Sequence, residues 1–273
     1  MRSAAALIAA LLLALPLSRP WAQQVSGFGQ QDGPVEIFAD EGIEWRREDK
    51  VYIARGNAEV RQGDITLFAQ VLTARYRGEG DSGDITDFVA NGSVRIVTPD
   101  TRVYGQRGTY NVASEVMIMT GGDLRLESGD DVVTAKDSLE YRPKERLAIA
   151  RGDAQVERRD PAKGTSNQVR ADVLTAHLTA DGKSFEMVEA DDNVEVLTPC
   201  EYVAANRGRY LVSEQIATLE GNVRITRGQN QLNGENAEVD LRTGVSTLKG
   251  GGGRVSGLLV PESRQNTPAD GCR

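Results

Sequence analysis

The sequence predicts an all-β protein, built as a solenoid-like stack of short antiparallel strands. Three observations predict this class. A short signature recurs roughly every 30 residues along the 273-residue chain, apolar and polar residues alternate inside each repeat, and no stretch after residue 22 carries a helical stripe. Because alternation with a period of two places successive side chains on opposite faces of a strand, we expect one face of each strand to be buried.

The first signature is an aliphatic residue, any residue, and then Ala or Gly. Its aliphatic positions are spaced 30, 36, 30, 36, 34 and 29 residues apart. A recurring spacing in this range is typical of proteins in which each repeat stacks on its neighbours. We therefore predict seven units, each with two or three strands. The seven copies are Ile37-Phe38-Ala39, Leu67-Phe68-Ala69, Val103-Tyr104-Gly105, Val133-Thr134-Ala135, Val169-Arg170-Ala171, Val203-Ala204-Ala205 and Leu232-Asn233-Gly234.

A second signature precedes most copies of the first and keeps the same phase. It is a pair of small or polar residues, interpreted as a turn, followed by alternating aliphatic residues. The six copies are Gly56-Asn57-Ala58-Glu59-Val60, Gly92-Ser93-Val94-Arg95-Ile96, Gly122-Asp123-Leu124-Arg125-Leu126, Gly152-Asp153-Ala154-Gln155-Val156, Asp192-Asn193-Val194-Glu195-Val196 and Gly221-Asn222-Val223-Arg224-Ile225.

The alternation shifts by one residue after the Ala or Gly of the first signature. In one unit, Leu67 and Ala69 share a face, and the apolar face then continues at Leu72 and Ala74. An odd step in a period of two predicts a bulge or corner in the strand. Ala or Gly at that step is typical of a crowded bend that leaves no room for a larger side chain.

The aliphatic positions are the candidate lining of the interior. They are compatible with a packed core and with a groove that accepts hydrocarbon chains, because both need the same residues facing inward. The candidates for a lipid-binding interior are Ile37, Val60, Ile65, Leu67, Val94, Ile96, Val103, Leu124, Leu126, Val133, Val156, Val169, Val194, Val196, Val203, Val223, Ile225 and Leu232.

The two ends of such a stack leave strand edges with unpaired backbone groups. The first unit begins abruptly at Val35, and the segment 232–241 near the other end contains no Pro. We therefore expect these ends to pair with a like or homologous sheet by strand addition.

Composition and charge disfavour several classes. The 40 acidic residues outnumber the 32 basic ones, which disfavours a nucleic-acid partner. One histidine and two cysteines are too few and too scattered for a structural zinc site, and a Ser-His-Asp triad could use only His177. We predict no catalytic residue, metal or cofactor. Because Cys272 lies in a polar tail, we do not expect a Cys200–Cys272 disulfide to be structural.

The N-terminus has the pattern of a signal peptide over residues 1–22. Arg2 precedes an apolar run over residues 4–17, which is too short to span a bilayer, and cleavage is expected after Ala22. An uncleaved anchor is the alternative. We predict a flexible segment over 23–34, a β domain over 35–260 and a disordered tail over 261–273. Insertions at 78–87 and 158–167 are interpreted as lengthened loops.

The Gly-Asn-Ala/Val-x-Val/Ile motif, followed by the aliphatic-x-Ala corner, resembles the OstA/LptA family of periplasmic lipopolysaccharide transport proteins. The resemblance covers residues 35–260 and is clearest over 56–76 and 221–241. It implies an elongated, twisted, partly open β-jellyroll that is V-shaped in section.

The resemblance also implies a function in a Gram-negative periplasm. It implies a carrier that bridges the inner and outer membranes and shields the lipid A acyl chains of lipopolysaccharide in a hydrophobic groove. It further implies homologous LptC-like and LptD-like β-jellyroll domains as partners, with end-to-end self-association as an additional expectation. The family shares no catalytic residues.

Two other functions remain open from the residues themselves. An exported β-helix-type polysaccharide-processing enzyme would cluster acidic and basic residues on one strand face, whereas the acidic pairs here lie at predicted turns, Asp130-Asp131 and Asp191-Asp192. A passive structural or adhesin repeat would show longer arrays, with more Asn, Thr and Ser ladders than this aliphatic interior.

Overall fold

The computed structural model describes residues 34–78, 83–182, 184–243 and 245–260. The expected signal peptide over 1–22, nearly all of the 23–34 segment, the 261–273 tail and Cys272 lie outside the described residues. Within the described ranges, no helix is long and apolar enough to cross a membrane.

The described residues form strands almost throughout, which confirms the all-β prediction. One 3₁₀ turn, Pro143–Glu145, interrupts them. The eighteen strands are β1 Glu36–Phe38, β2 Gly42–Arg46, β3 Val51–Gln62, β4 Ile65–Arg77, β5 Asp84–Val97, β6 Thr101–Asn111, β7 Val116–Thr120, β8 Leu124–Ser128, β9 Asp131–Ala135, β10 Ser138–Arg142, β11 Leu147–Asp160, β12 Thr165–Leu178, β13 Phe185–Leu197, β14 Glu201–Leu211, β15 Ile216–Arg227, β16 Asn230–Asp240, β17 Val245–Lys249 and β18 Ser256–Leu258.

The chain divides into two compact units. The N-terminal unit holds the described residues from 34 to 152 together with 178–182, and the C-terminal unit holds 153–177 and the described residues from 184 onward. Within each unit, long strands that follow one another in the sequence pair in antiparallel fashion, as β3–β4 and β4–β5 do in the first and β14–β15 and β15–β16 do in the second. Short strands pair two to one long strand: β1 and β2 both pair with β3, β7 and β8 both with β6, and β17 and β18 both with β16.

Each long strand bends near its middle, so its two halves lie in different arms of the folded sheet. In β3 the register with β4 shifts between Arg55 and Ala58. We name the arm that contains residues 51–55 the first arm and the arm that contains 58–62 the second arm. The C-terminal unit repeats the arrangement, with residues 216–220 of β15 in its first arm and 223–227 in its second.

The bends are made by the residue pairs that the sequence analysis interpreted as turns, and that interpretation is wrong. Gly56 and Asn57 have φ values of 75° and 45°, and Gly221 and Asn222 have 77° and 53°, in the middle of β3 and β15. Two left-handed residues on one strand stand opposite fewer residues on the next strand, which is a bulge that turns the sheet. Glycine occupies the first position because it adopts positive φ without steric cost.

The space inside the bend is small, as the Ala/Gly rule predicted. A Cβ placed on Gly105 would lie 2.5 Å from Met119 Cγ and 2.9 Å from Leu124 Cδ2. The register between β4 and β5 also shifts between Phe68 and Val71, which confirms the odd step after Ala69. On the other side of the bend, the side chain of Gln70 covers Gly92, and that of Asn206 covers Gly221.

Both insertions contain strand residues where the sequence analysis expected only loops. Within 78–87, β5 already begins at Asp84, while residues 79–82 lie outside the described ranges. Within 158–167, β11 continues to Asp160 and β12 starts at Thr165, leaving a tight turn of four residues. The extra residues therefore lengthen paired strands. Cys200 is disulfide-bonded.

Candidate functional site

Seven of the predicted interior residues form one continuous row in the second arm of the N-terminal unit. They occupy directly opposed positions on neighbouring strands, where side chains touch across the sheet. We name this set the N-terminal aliphatic row. In order it is Ile37, Val60, Leu67, Ile96, Val103, Leu126 and Val133.

The C-terminal unit carries an equivalent row. Val196 lies opposite Val203, Val203 opposite Ile225, and Ile225 opposite Leu232. We name these four residues the C-terminal aliphatic row. The residues of each row share one face of the second arm of their own unit, although they are spread over many repeats of the sequence.

Five of the remaining predicted residues lie beside the two rows. Val94 lies opposite Gly105, Leu124 opposite Ala135, Val194 opposite Ala205 and Val223 opposite Gly234, one step closer to the bends. Ile65 opens β4 at the hairpin end of the N-terminal row. Val156 and Val169 lie on β11 and β12.

Burial divides the predicted residues into two groups, and none of them is exposed. Eleven are buried: Val60, Ile65, Leu67, Val94, Ile96, Leu124, Val194, Val196, Val203, Val223 and Ile225. Seven are only half-buried: Ile37, Val103, Leu126, Val133, Val156, Val169 and Leu232. The N-terminal row is therefore closed at Val60, Leu67 and Ile96, and partly accessible over its last three positions.

The first arm supplies a second set of interior side chains, which the candidate list omitted. In the N-terminal unit they form another cross-strand row, which consists of Ala and Gly together with Leu and Met. Part of this face was visible in the sequence as Leu72 and Ala74 after the phase shift. The row is Ala54, Leu72, Ala90, Gly108, Met119, Leu139 and Ala150.

The two arms of each unit face each other closely near the bend. A Cβ on Gly108 in the first arm would lie 3.3 Å from Val94 Cγ1 in the second arm. In the C-terminal unit, a Cβ on Gly208 would lie 3.6 Å from Val194 Cγ1. Glycine at these two matching positions lets the arms approach, so the interior narrows toward the bend.

Polar side chains replace aliphatic ones where the inward face reaches the hairpins of the second arm. In the N-terminal unit the hydroxyl of Thr101 donates to Ser128 Oγ at 3.3 Å, and Asp131 is buried opposite Ser128. In the C-terminal unit the corresponding pair is Glu201 and Arg227, which lie opposite each other. Each aliphatic row thus runs alongside a polar one.

Burial raises the pKa of several interior groups, among them Tyr141 and Tyr210, and most strongly that of Glu201 and Tyr110. It raises the pKa of Glu201 to about 7, while the nearby Arg227 guanidinium acts in the opposite direction. It also raises the pKa of Tyr110 to about 12. The Tyr110 hydroxyl and Glu201 Oε2 are buried and have no hydrogen-bond partner among the described residues.

His177, the histidine considered for a catalytic triad, lies beside a carboxylate that also binds an arginine. His177 Nε2 lies 2.8 Å from Glu189 Oε2, and Arg209 Nη2 donates to Glu189 Oε1 at 2.9 Å, so the pKa of the Glu189 carboxyl is lowered, chiefly by His177. Asp191 and Asp192 are exposed within β13, at its bulge rather than at a turn. Within the described ranges, no group of His, Cys, Asp and Glu could hold a metal ion.

The fold and its interior define an all-β repeat protein in which each of two units carries an aliphatic row with polar side chains beside it. Comparison of the sequence with protein families gives a match to the family described as LptA/(LptD N-terminal domain) LPS transport protein, twice along the chain, over residues 36–147 and 137–245. The chain belongs to this family, whose members transport lipopolysaccharide.

Two individual proteins are also similar to the chain. An uncharacterized protein of Rhizobium meliloti (strain 1021) is 28% identical over 140 residues, which is 48% of this chain and 75% of that protein. The crystal structure of LptH from Pseudomonas aeruginosa, titled as the LptA homologous periplasmic component of the lipopolysaccharide transport device, is 11% identical. The match between the two structures covers 85% of this chain and 99% of the LptH chain, with a TM-score of 0.21.

Proposed function

We propose that the protein is a periplasmic carrier that binds lipopolysaccharide and passes it from the inner toward the outer membrane. The lipid A acyl chains are shielded between the two arms of the folded sheet, and residues 1–22 direct export and are removed. The net charge of −8 opposes long-range attraction to an anionic lipid, so affinity comes from buried chains, at about 0.8 kcal/mol per CH₂ group.

The N-terminal aliphatic row is the observation that carries this proposal. Its members continue across seven strands without a polar interruption, yet Val103, Leu126 and Val133 remain half-buried. A core that served only stability would bury these side chains fully, since each contributes in proportion to the area removed from water. Hydrocarbon chains that lie along these three positions would complete their burial.

The terminal strands support homologous LptC-like and LptD-like domains, or a second copy of the chain, as partners. β1 and β2 pair with β3, and β17 and β18 pair with β16. Among the described residues, the exposed large hydrophobic ones all lie on or beside these short strands: Phe38, Ile43, Val245, Val255, Leu258 and Leu259. Addition of a partner strand would cover these side chains and pair the edge backbone.

A photocrosslinking experiment tests the lipid-binding part. A benzophenone side chain is placed at Val103 or, as a matched control, at Tyr104, the next residue, whose side chain faces outward on the same strand and is also half-buried. After irradiation with purified lipopolysaccharide, we expect adducts at Val103 and at least about fivefold fewer at Tyr104, because alternate residues face opposite sides.

The experiment extends to the fully buried positions Leu67, Val203 and Ile225, with the outward-facing Glu59 and Arg224 as controls. Adducts are expected at the inward positions and not at the controls. Equal labelling of inward and outward positions would overturn the proposal, because it would mean that lipid contacts the protein without selecting the interior.

A further inference from the structure

Glu201 places a carboxyl inside the C-terminal unit without a full set of partners. Its side chain is 1% exposed, and Oε1 lies 4.0 Å from Arg227 Nη1, which is beyond hydrogen-bond distance. Oε2 has no hydrogen-bond partner among the described residues. Proteins rarely bury a carboxyl oxygen in this state, because it has lost its water and gained no donor.

The carboxyl lies on the inward face, in line with the C-terminal aliphatic row. Glu201, Val203 and Ala205 alternate along β14 and are all buried. Because alternate residues share a face and two residues of a strand span about 7 Å, the carboxyl continues the apolar face roughly 7 Å beyond Val203. A chain lying along the row would therefore meet an oxygen acceptor at its end.

The hairpin itself does not require a carboxyl at this position. The same hairpin occurs in the N-terminal unit, where Thr98 N donates to Thr101 O at 2.9 Å as Thr198 N does to Glu201 O. There the inward residue is Thr101, and its hydroxyl donates a hydrogen bond to Ser128 Oγ at 3.3 Å. The N-terminal unit thus satisfies its polar pair with an internal hydrogen bond. In the C-terminal unit, Glu201 Oε2 has no donor among the described residues.

We propose that Glu201 Oε2 accepts a hydrogen bond from a hydroxyl group on the apolar chain of the bound lipid. The protein would then select hydroxylated acyl chains over plain ones of the same length. This inference rests on the proposed lipid-binding function and deepens it. The hydroxyl is a suitable donor because it is uncharged and can enter an apolar interior, and because a carboxyl oxygen accepts from it in either protonation state.

Competition against the fluorescent probe N-phenyl-1-naphthylamine tests the inference on the full-length mature protein. The competitors are methyl decanoate and methyl 3-hydroxydecanoate, which differ by one hydroxyl group. The hydroxylated ester is less hydrophobic, so the displacing concentration of each ester is corrected by its partition coefficient. After this correction, we expect the hydroxylated ester to displace the probe at about fivefold lower concentration than the plain ester.

Three variants locate the effect. In Glu201→Leu, the two esters are expected to displace the probe at about the same corrected concentration. Glu201→Gln keeps an acceptor oxygen and nearly the same shape, and it is expected to retain at least about a twofold preference for the hydroxylated ester. Glu238→Gln removes the same charge from an exposed side chain of the same unit and is expected to behave as the wild type. Glu201→Gln keeps the test valid if the Leu variant does not fold.

The outcomes separate this inference from the proposed function. If both esters displace the probe equally well from the wild type, or if Glu201→Leu keeps the full preference, the role of Glu201 is overturned while the apolar interior stands. If neither ester displaces the probe, the lipid-binding interior is overturned and the inference with it.

Discussion

Two stretches of the N-terminal aliphatic row have similar residues and different environments. Val60, Leu67 and Ile96 are almost fully buried, at 0%, 5% and 6% exposure. Val103, Leu126 and Val133 continue the same row on the next strands and are half-buried. Because residue type and register are the same, the difference comes from what covers each stretch. One stretch is covered by the protein's own side chains, and the other is left partly accessible to solvent.

The largest expected effect comes from placing a charge in each environment. Val203→Asp, at a position as closed as Val60, is expected to lose about 4 kcal/mol or more of unfolding free energy, because a carboxylate is buried without a partner. Val103→Asp should lose only about 1 kcal/mol, since its carboxylate reaches water. Urea unfolding of the two variants measures both values, and similar losses would contradict the distinction between closed and accessible positions.

Truncation to alanine gives a smaller version of the same contrast. Leu67→Ala is expected to cost about 3 kcal/mol, because the buried position leaves a cavity. Leu126→Ala should cost about 1 kcal/mol. It should nevertheless weaken displacement of the fluorescent probe by lipopolysaccharide more than Leu67→Ala does in its folded fraction. A larger binding effect of Leu67→Ala would mean that the accessible stretch is not the main contact for lipid.

A pH dependence is expected at the end of the C-terminal aliphatic row. The pKa of Glu201 is raised from 4.5 to about 7 by burial, so the folded state holds a proton that the unfolded state releases between these values. This contribution is complete below pH 4.5 and is lost as pH rises through 7. Raising the pH from 5 to 8 should therefore lower the unfolding free energy, by about 2 kcal/mol.

Glu201→Gln removes the titrating group and should flatten this part of the pH profile, whereas Glu238→Gln, at an exposed site, should not. Chemical unfolding at several pH values measures the slope. A slope that survives in Glu201→Gln would assign the pH dependence to other groups.

The smallest effect is expected at the bend. Asn57 adopts a φ of 45° and donates through Nδ2 to Asp40 Oδ2 at 2.7 Å, at an exposed position. Asn57→Gly should change the unfolding free energy by less than about 0.5 kcal/mol, because glycine tolerates the same φ. Asn57→Val should cost about 1–2 kcal/mol, since a branched side chain disfavours that backbone. Thermal unfolding measures both, and equal values would contradict the left-handed conformation of the bend.

The sequence was sufficient to predict which residues form the rows, because the alternation of apolar and polar residues shows which side chains of a strand share a face. Val60, Leu67 and Ile96 could be placed on one face from the period of two alone. The pairs such as Gly56-Asn57 were misassigned because two successive left-handed residues suit a hairpin turn as well as a mid-strand bulge. Only the pairing of both flanking segments with the same neighbouring strand distinguishes the two cases.

Other features depend on packing that one sequence does not reveal. Glu201 looks like a solvated residue after the Thr198-Pro199 turn, and its burial depends on the neighbouring strands of the C-terminal unit. The half-burial of Val103 likewise depends on which side chains of the first arm reach across. The insertion at 158–167 suggested a loop because it contains Pro161 and Gly164, although these two residues occupy only the turn of a longer hairpin.

The bends restrict how the length of this protein can change. A bend sets two residues of one strand, such as Asp192 and Asn193, against a single Asn206 on the next strand. Gain or loss of one residue within a strand would turn every following side chain to the opposite face. The apolar and the solvent-exposed faces would be exchanged as far as the next bend. Adding or deleting a whole module between equivalent bends leaves this order intact. Chains built on this plan can therefore become longer or shorter in steps of one module, while the apolar lining stays unbroken.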